Sequence, residues 1–119
     1  MTTEYLALRP NNTAADAVEA LRNFKGGVET VSTIYIVDSL GTLIGAVPLA
    51  KLVLAESDTP LLALVQEPLI SIRAGAGEHE VAELFDKYNL VTLPVVDENK
   101  KLTGVITSDD IISLLRAKL

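Results

Sequence analysis

The sequence predicts an α/β (α+β) fold made of two pseudo-symmetric β-α-β-β-α repeats packed through their sheets. Three observations predict it. The chain matches itself at a nearly constant offset, and its apolar residues switch between a period of two and the helical 3.6. Its 119 residues are 49% hydrophobic but only 4% aromatic, as expected when Ala, Val, Leu and Ile fill two small layered cores. Each half alone buries too little surface to be stable, so the halves must share an interface.

Leu6-Ala7-Leu8-Arg9 alternates apolar positions as a short strand does, and Ile70-Ser71-Ile72-Arg73 repeats it at an offset of 64. Ala17, Ala20, Leu21 and Phe24 have the i, i+3, i+4, i+7 spacing of a helix with one buried stripe. Val81, Leu84, Phe85 and Tyr88 match them, so the pairs Leu21/Phe85 and Phe24/Tyr88 are expected in equivalent core positions. Thr33-Ile34-Tyr35-Ile36-Val37-Asp38 then matches Thr92-Leu93-Pro94-Val95-Val96-Asp97 at an offset of 59. Repeat one therefore carries 64 − 59 = 5 extra residues, in the Lys25–Ser32 region with its Gly26-Gly27 pair.

Asp38-Ser39-Leu40-Gly41 and Asp97-Glu98-Asn99-Lys100 carry turn chemistry, and each leads into another strand, Leu43–Val47 or Leu102–Ile106, as in a hairpin. Helices follow at about Leu49–Ala55 and Ser108–Leu119. In the second, Ile111, Leu114 and Leu115 make the stripe, and Lys118 suits the negative helix end. Glu56–Pro60 is the expected linker, followed by a short apolar turn at Leu61–Val65. The units are therefore 1–58 and 59–119.

Ten basic against sixteen acidic residues give a formal charge of −6. That balance argues against nucleic acid as a partner, since phosphate backbones need basic patches. The absence of cysteine removes disulfides, thiolate nucleophiles and Cys-type zinc sites. The longest nearly apolar stretch, Leu43–Ala55, is interrupted by Lys51 and falls short of the roughly 20 residues that cross a bilayer. The polar first residues lack the basic-then-apolar pattern of a signal peptide. A soluble, cytoplasmic chain is expected.

Gly104-Val105-Ile106-Thr107-Ser108-Asp109-Asp110 runs from a strand into a helix start. By themselves these residues are explained as a cap, with Thr107 or Ser108 bonding the first turn and aspartates at its positive end. His79 is the only histidine and supports neither a triad nor a multi-histidine metal centre. Gly75 and Gly77 lack the Gly-Lys-Ser/Thr that closes a phosphate loop. No enzyme activity is expected.

Leu-Pro-Val-Val-Asp at 93–97, followed by Leu-Thr-Gly-Val-Ile-Thr-Ser-Asp-Asp-Ile-Ile at 102–112, resembles the cystathionine-β-synthase (CBS) domain. Two such motifs in tandem form a Bateman module. Met1-Thr2-Thr3-Glu4-Tyr5 and the glycine-containing insertion look like the CBS pair of MgtE-type magnesium transporters. The resemblance implies a cytosolic regulatory piece of a larger membrane protein, partnered by a transporter domain and forming a homodimer. It implies an adenine nucleotide, ATP or AMP, with Thr107 near a phosphate, Asp110 on the ribose, and Ile70, Thr92, Leu93 and Pro94 around the base. Core packing explains Ile70 and Leu93 equally well. Pro48 and Lys51 stand where Thr107 and Asp110 have their counterparts, so at most one competent nucleoside site is expected. The resemblance also implies Mg²⁺ on acidic surfaces, with Glu56, Asp58, Glu78 and Glu80 as candidate ligands and Glu83 nearby. Ala74-Gly75-Ala76-Gly77 departs from the acidic composition expected there. A solvated face, with Glu83 and Lys87 paired at i, i+4, accounts for the same carboxylates. A ligand-free structural dimerisation module is the alternative function.

Overall fold

The computed structural model describes residues 1–27 and 31–117, with side chains described as far as Ile112. The first half runs β1 (Ala7–Leu8), α1 (Ala14–Arg22), β2 (Thr33–Val37), β3 (Leu43–Pro48) and α2 (Leu49–Leu54). A 3-10 turn, Leu61–Leu64, leads into β4 (Ile72–Arg73), α3 (Glu78–Tyr88), β5 (Thr92–Val96), β6 (Leu102–Thr107) and α4 (Ser108–Ala117). Leu114, Leu115 and Lys118, assigned to the last helix from sequence, have side chains outside the described residues, as does the 28–30 part of the insertion.

Local chemistry sets the boundaries. α1 starts at a capping box in which the Thr13 hydroxyl accepts from the Asp16 N–H, while Asp16 accepts from the Thr13 N–H at 2.8 Å. Strand β1 is shorter than the four residues expected, because the Arg9 N–H is captured by Asn12 Oδ1 at 2.8 Å and the chain turns away. Both hairpins turn on an aspartate: Asp38 Oδ1 accepts from the N–H groups of Leu40 and Thr42, and Asp97 Oδ1 from those of Asn99 and Lys101. Gly41 and Lys100 hold the same left-handed position in the two turns, with φ of 86° and 64°.

Two three-stranded sheets result, β1-β2-β3 and β4-β5-β6, each with a parallel outer pair and an antiparallel hairpin. Alternation along each strand then separates three cores. Ile34, Ile36, Val47 and Leu52 are buried beneath the first unit's helices, and Ile72, Val81, Phe85, Leu93 and Val95 beneath the second's. Tyr35, Leu43, Val96 and Val105 are buried together in a third cluster, where the sheets meet. Each fully buried aliphatic side chain contributes about 1.5–3 kcal/mol. Phe24 and Tyr88 depart from the expected stripe. Phe24 lies beyond the end of α1, and Tyr88, the last residue of α3, is 38% exposed.

The two units exchange their lead-in segments. Thr2 and Val105 bond reciprocally, N–H to carbonyl, at 2.7 and 2.8 Å, so residues before β1 lie on β6 of the other unit. At the equivalent place the Gln66 N–H bonds the Ala46 carbonyl on β3 at 2.9 Å. Leu61, just upstream, is fully buried in the first unit's core, with Leu64 and Val65 packed against it. The crossing explains a repeated glycine. A Cβ on Gly45 would stand 2.7 Å from Val65 Cγ1, and one on Gly104 2.6 Å from Met1 Sδ.

Candidate functional site

β6 delivers Thr107 to the first turn of α4, in register with Thr92 of β5. The Asp110 N–H donates to Thr107 Oγ1 at 3.2 Å, and the Thr107 N–H donates to Asp110 Oδ2 at 3.0 Å. Both predicted ligand contacts thus form a reciprocal cap. The Met1 amino nitrogen lies 3.8 Å from Asp110 Oδ2, in an exposed pair. Asp110 keeps 44% side-chain exposure, so its carboxylate remains open to a polar ligand from solvent. Pro48, at the matching position in the first unit, caps α2 without any side-chain hydrogen bond.

Two pockets flank the line where the sheets meet, and they are pseudo-equivalents. One, about 30 Å³, is bounded by Thr2, Glu4, Tyr5, Val105 and Thr107 together with β2 and β5 hydroxyls. The other, about 120 Å³, is bounded by Gln66, Ile70, Tyr88, Pro94 and Ala46 with the same hydroxyls. The shared wall is a chain of three hydroxyl groups. Tyr35 Oη lies 2.8 Å from Thr92 Oγ1, which donates to Thr33 Oγ1 at 3.4 Å. Burial pushes the Tyr35 hydroxyl up to about 12, against a smaller opposing effect from Thr92. The Tyr5 ring meets Tyr35 edge-on, with centroids 6.4 Å apart.

The structure therefore divides the residues that sequence grouped together. Thr107 borders the smaller pocket, Ile70 and Pro94 border the larger, and Thr92 stands in the wall of both. The Leu93 side chain borders neither: it is fully buried on the helix side of the sheet, with Ile72 and Val81. Alternation along β5 is the reason, since neighbours of Leu93 point to the opposite face. Thr33 and Tyr35 were missed because they come from the other repeat. The signal that finds them is the offset of 59 that makes Thr33 the counterpart of Thr92 and Tyr35 that of Pro94.

The acidic candidates are dispersed. Glu56 and Asp58 are exposed on the connection after α2, and Glu78 and Glu80 are exposed in the first turn of α3, where the helix dipole favours them. Among the described residues, no three Asp, Glu or His side chains gather as a metal site. Glu83 pairs with His79 at 3.0 Å, and Lys87 lies 5.3 Å from the Tyr88 ring centroid. The expected Glu83–Lys87 partnership is thus replaced: histidine one turn before Glu83 reaches it, and the lysine settles over an aromatic face. No described helix is long and apolar enough to cross a membrane.

A family model described as the CBS domain matches residues 1–58 and again 62–117. The magnesium transporter MgtE of Thermus thermophilus is 35% identical over 118 residues, which is 99% of this chain and 26% of that protein. MgtE of Enterococcus faecalis is 32% identical over 115 residues, 97% of this chain and 25% of that one. The chain spans about a quarter of the length of these relatives. Among solved structures, the cytosolic domain of the Mg²⁺ channel MgtE in complex with ATP matches with a TM-score of 0.90 at 34% identity. That match covers 96% of this chain and 46% of the other.

Proposed function

The chain belongs to the CBS-domain family, as a tandem pair similar to the cytosolic CBS region of MgtE, and from that premise we propose that it is a cytosolic regulatory module of a magnesium-type transporter. An adenine nucleotide, ATP or AMP, binds at the β6–α4 junction and biases the packing of the pair. The observation that carries this reading is the Thr107–Asp110 pair at a helix start, beside a pocket lined by hydroxyls, in a chain similar to a domain solved with ATP. A phosphate oxygen suits the N–H groups and hydroxyl of a helix start, and a carboxylate accepts two bonds from a vicinal diol. Ile70, Thr92 and Pro94 bound the neighbouring pocket and contribute to the base site through the shared wall; Leu93 supports it from behind.

In this reading the module works as a homodimer attached to a membrane transporter domain. Glu56, Asp58, Glu78 and Glu80 supply oxygen ligands to Mg²⁺ only where a second surface completes the shell, because a hard cation needs more donors than these exposed carboxylates bring together alone. A nucleotide changes the packing only to the extent that it binds two arrangements with different affinity.

Calorimetry with ATP, AMP and adenosine tests the proposal. Saturable heat, lost in Asp110→Ala, is expected. Circular dichroism must accompany it, because losing the cap costs the variant about 1 kcal/mol of stability whatever its ligand does. Absence of heat at millimolar nucleotide would sink the nucleotide claim. A second reading, a ligand-free structural dimerisation module, is favoured by one observation: the cap already engages both Thr107 and Asp110. Under that reading nucleotide leaves the dimer and its unfolding temperature unchanged.

A further inference from the structure

Leu69 stands where the repeat places Tyr5, at the offset of 64 that also relates Gln66 to Thr2. Tyr5 packs on the buried cluster between the sheets and donates its hydroxyl to the Leu102 carbonyl at 3.4 Å. Leu43 is the counterpart of Leu102 at the offset of 59. Leucine has neither the length nor the hydroxyl of tyrosine, and a cavity of about 470 Å³, lined by both Leu43 and Leu69, is left there. It lies within the range of about 300–1,000 Å³ of small-molecule sites and exceeds either pocket beside the hydroxyl wall. Its lining sorts by chemistry. Leu43 and Val96, both buried, form an apolar floor with Leu69, which is 38% exposed. Arg73 and Lys100 stand around that floor, exposed and without an ion-pair partner among the described residues. Asp97 and Glu98 bring two carboxylates to the same cavity. Cations and carboxylates thus share one cavity without pairing with one another. In the first unit Ser39 and Gly41 take the places of Glu98 and Lys100, so this charged set belongs to the second unit. Lys100 also holds a φ of 64°, a backbone cost that Gly41 avoids.

We propose that this cavity binds a free α-amino acid with an aromatic side chain. Its carboxylate meets Arg73 and Lys100, its ammonium meets Asp97 and Glu98, and its ring rests on Leu43, Leu69 and Val96. The ring occupies the space that Tyr5 fills in the other half of the repeat. An anion alone would meet two carboxylates, and a cation alone two basic groups, so a zwitterion matches the lining better than either. Leu43 comes from the first unit and the charged groups from the second, so the bound molecule ties the units together and raises their unfolding temperature. The site does not rest on the nucleotide reading, because Thr107 and Asp110 take no part in its lining.

Calorimetry of the full chain with L-phenylalanine and L-tyrosine tests the proposal. Phenylpropionate, phenethylamine and L-alanine serve as controls that lack the ammonium, the carboxylate and the ring in turn. Saturable heat is expected for the two aromatic amino acids at millimolar concentration, and binding at least about tenfold weaker for each control. Leu69→Tyr should abolish binding by filling the cavity as Tyr5 fills its counterpart. Arg73→Gln and Lys100→Gly should each weaken it about tenfold, the range of one charge-assisted hydrogen bond. Lys100→Gly is the stringent variant: relief of its left-handed backbone makes the fold more stable, so weaker binding there cannot come from unfolding. Phenylpropionate binding as tightly as L-phenylalanine overturns the zwitterion. Unchanged binding in Leu69→Tyr overturns the location. No heat with either aromatic amino acid at millimolar concentration overturns the site, and leaves nucleotide binding, read separately with ATP, as it stands.

Discussion

Alanine at Gly45 should unsettle the fold far more than alanine at Gly104, although the two glycines are repeat equivalents. At Gly45 the new Cβ meets Val65 Cγ1 at 2.7 Å and Ile36 Cδ1 at 3.6 Å. Carbon atoms prefer about 3.5–4.0 Å, so the first contact must open by roughly 1 Å. Val65 cannot easily yield, because it is β-branched and packs against the first unit's core. Overpacking of this kind costs about 1–3 kcal/mol, offset by about 0.4–1 kcal/mol from stiffening the unfolded chain. The net loss is therefore about 1–2 kcal/mol. At Gly104 the obstacle is Met1 Sδ at 2.6 Å, the end of a flexible and mostly exposed side chain. There the two effects nearly cancel, to within about 0.5 kcal/mol. Thermal unfolding followed by circular dichroism measures both. For a chain of this size 1 kcal/mol is about 4 °C, so Gly45→Ala should lower Tm by about 4–8 °C and Gly104→Ala by no more than about 2 °C. Val65→Ala in the same chain should recover about 1 kcal/mol of the Gly45→Ala loss in a double-mutant cycle. Equal losses at the two glycines, or no coupling to Val65, would refute the crossing as the reason for them.

Lys100→Gly should stabilise by about 0.5–1 kcal/mol in urea unfolding, because Lys100 holds a φ of 64° where its repeat equivalent is Gly41. Tyr35→Phe should cost about 0.5–1.5 kcal/mol, by stripping Thr92 Oγ1 of its 2.8 Å partner while keeping the ring. One of the three tyrosines should titrate near pH 12 in the ultraviolet. Since folding raises that value, its contribution is complete below about pH 10 and is lost as the pH rises toward 12. Asp16 and Asp38 behave oppositely. Backbone N–H groups, from Thr13 for Asp16 and from Thr42 and Leu40 for Asp38, hold the carboxyls below their ordinary 3.8. Their stabilisation is present above that pH and fades as the pH falls through the lowered folded values. The urea midpoints of the unaltered chain and Asp38→Asn should therefore converge in that acid range.

The repeat, its offsets, the hairpins and the order of elements were legible in the sequence, because each rests on local chemistry. Asp38 and Asp97 turn the chain with their own side chains, and Val81 and Phe85 share a helix face through spacing alone. Errors began where a residue's partner lies far along the chain. Tyr88 fits the apolar stripe of its helix but ends up 38% exposed on a pocket rim, since the helix finishes there.

The candidate site shows the same division. Sequence alone placed a cap at Thr107 or Ser108 with aspartates in the first turn, which needs only a strand end and a helix start; the structure chose Thr107 and paired it with Asp110. Tertiary structure alone decided that Thr107 and Ile70 border different pockets, that Leu93 turns to the helices, and that Thr33 and Tyr35 form the wall between. Local propensity and hydrophobic period say which face of an element is apolar. They do not say which of two similar surfaces that face will meet. Here each lead-in crosses to the other repeat, as Thr2 does to Val105 across most of the chain's length, and only the packed molecule reveals that exchange.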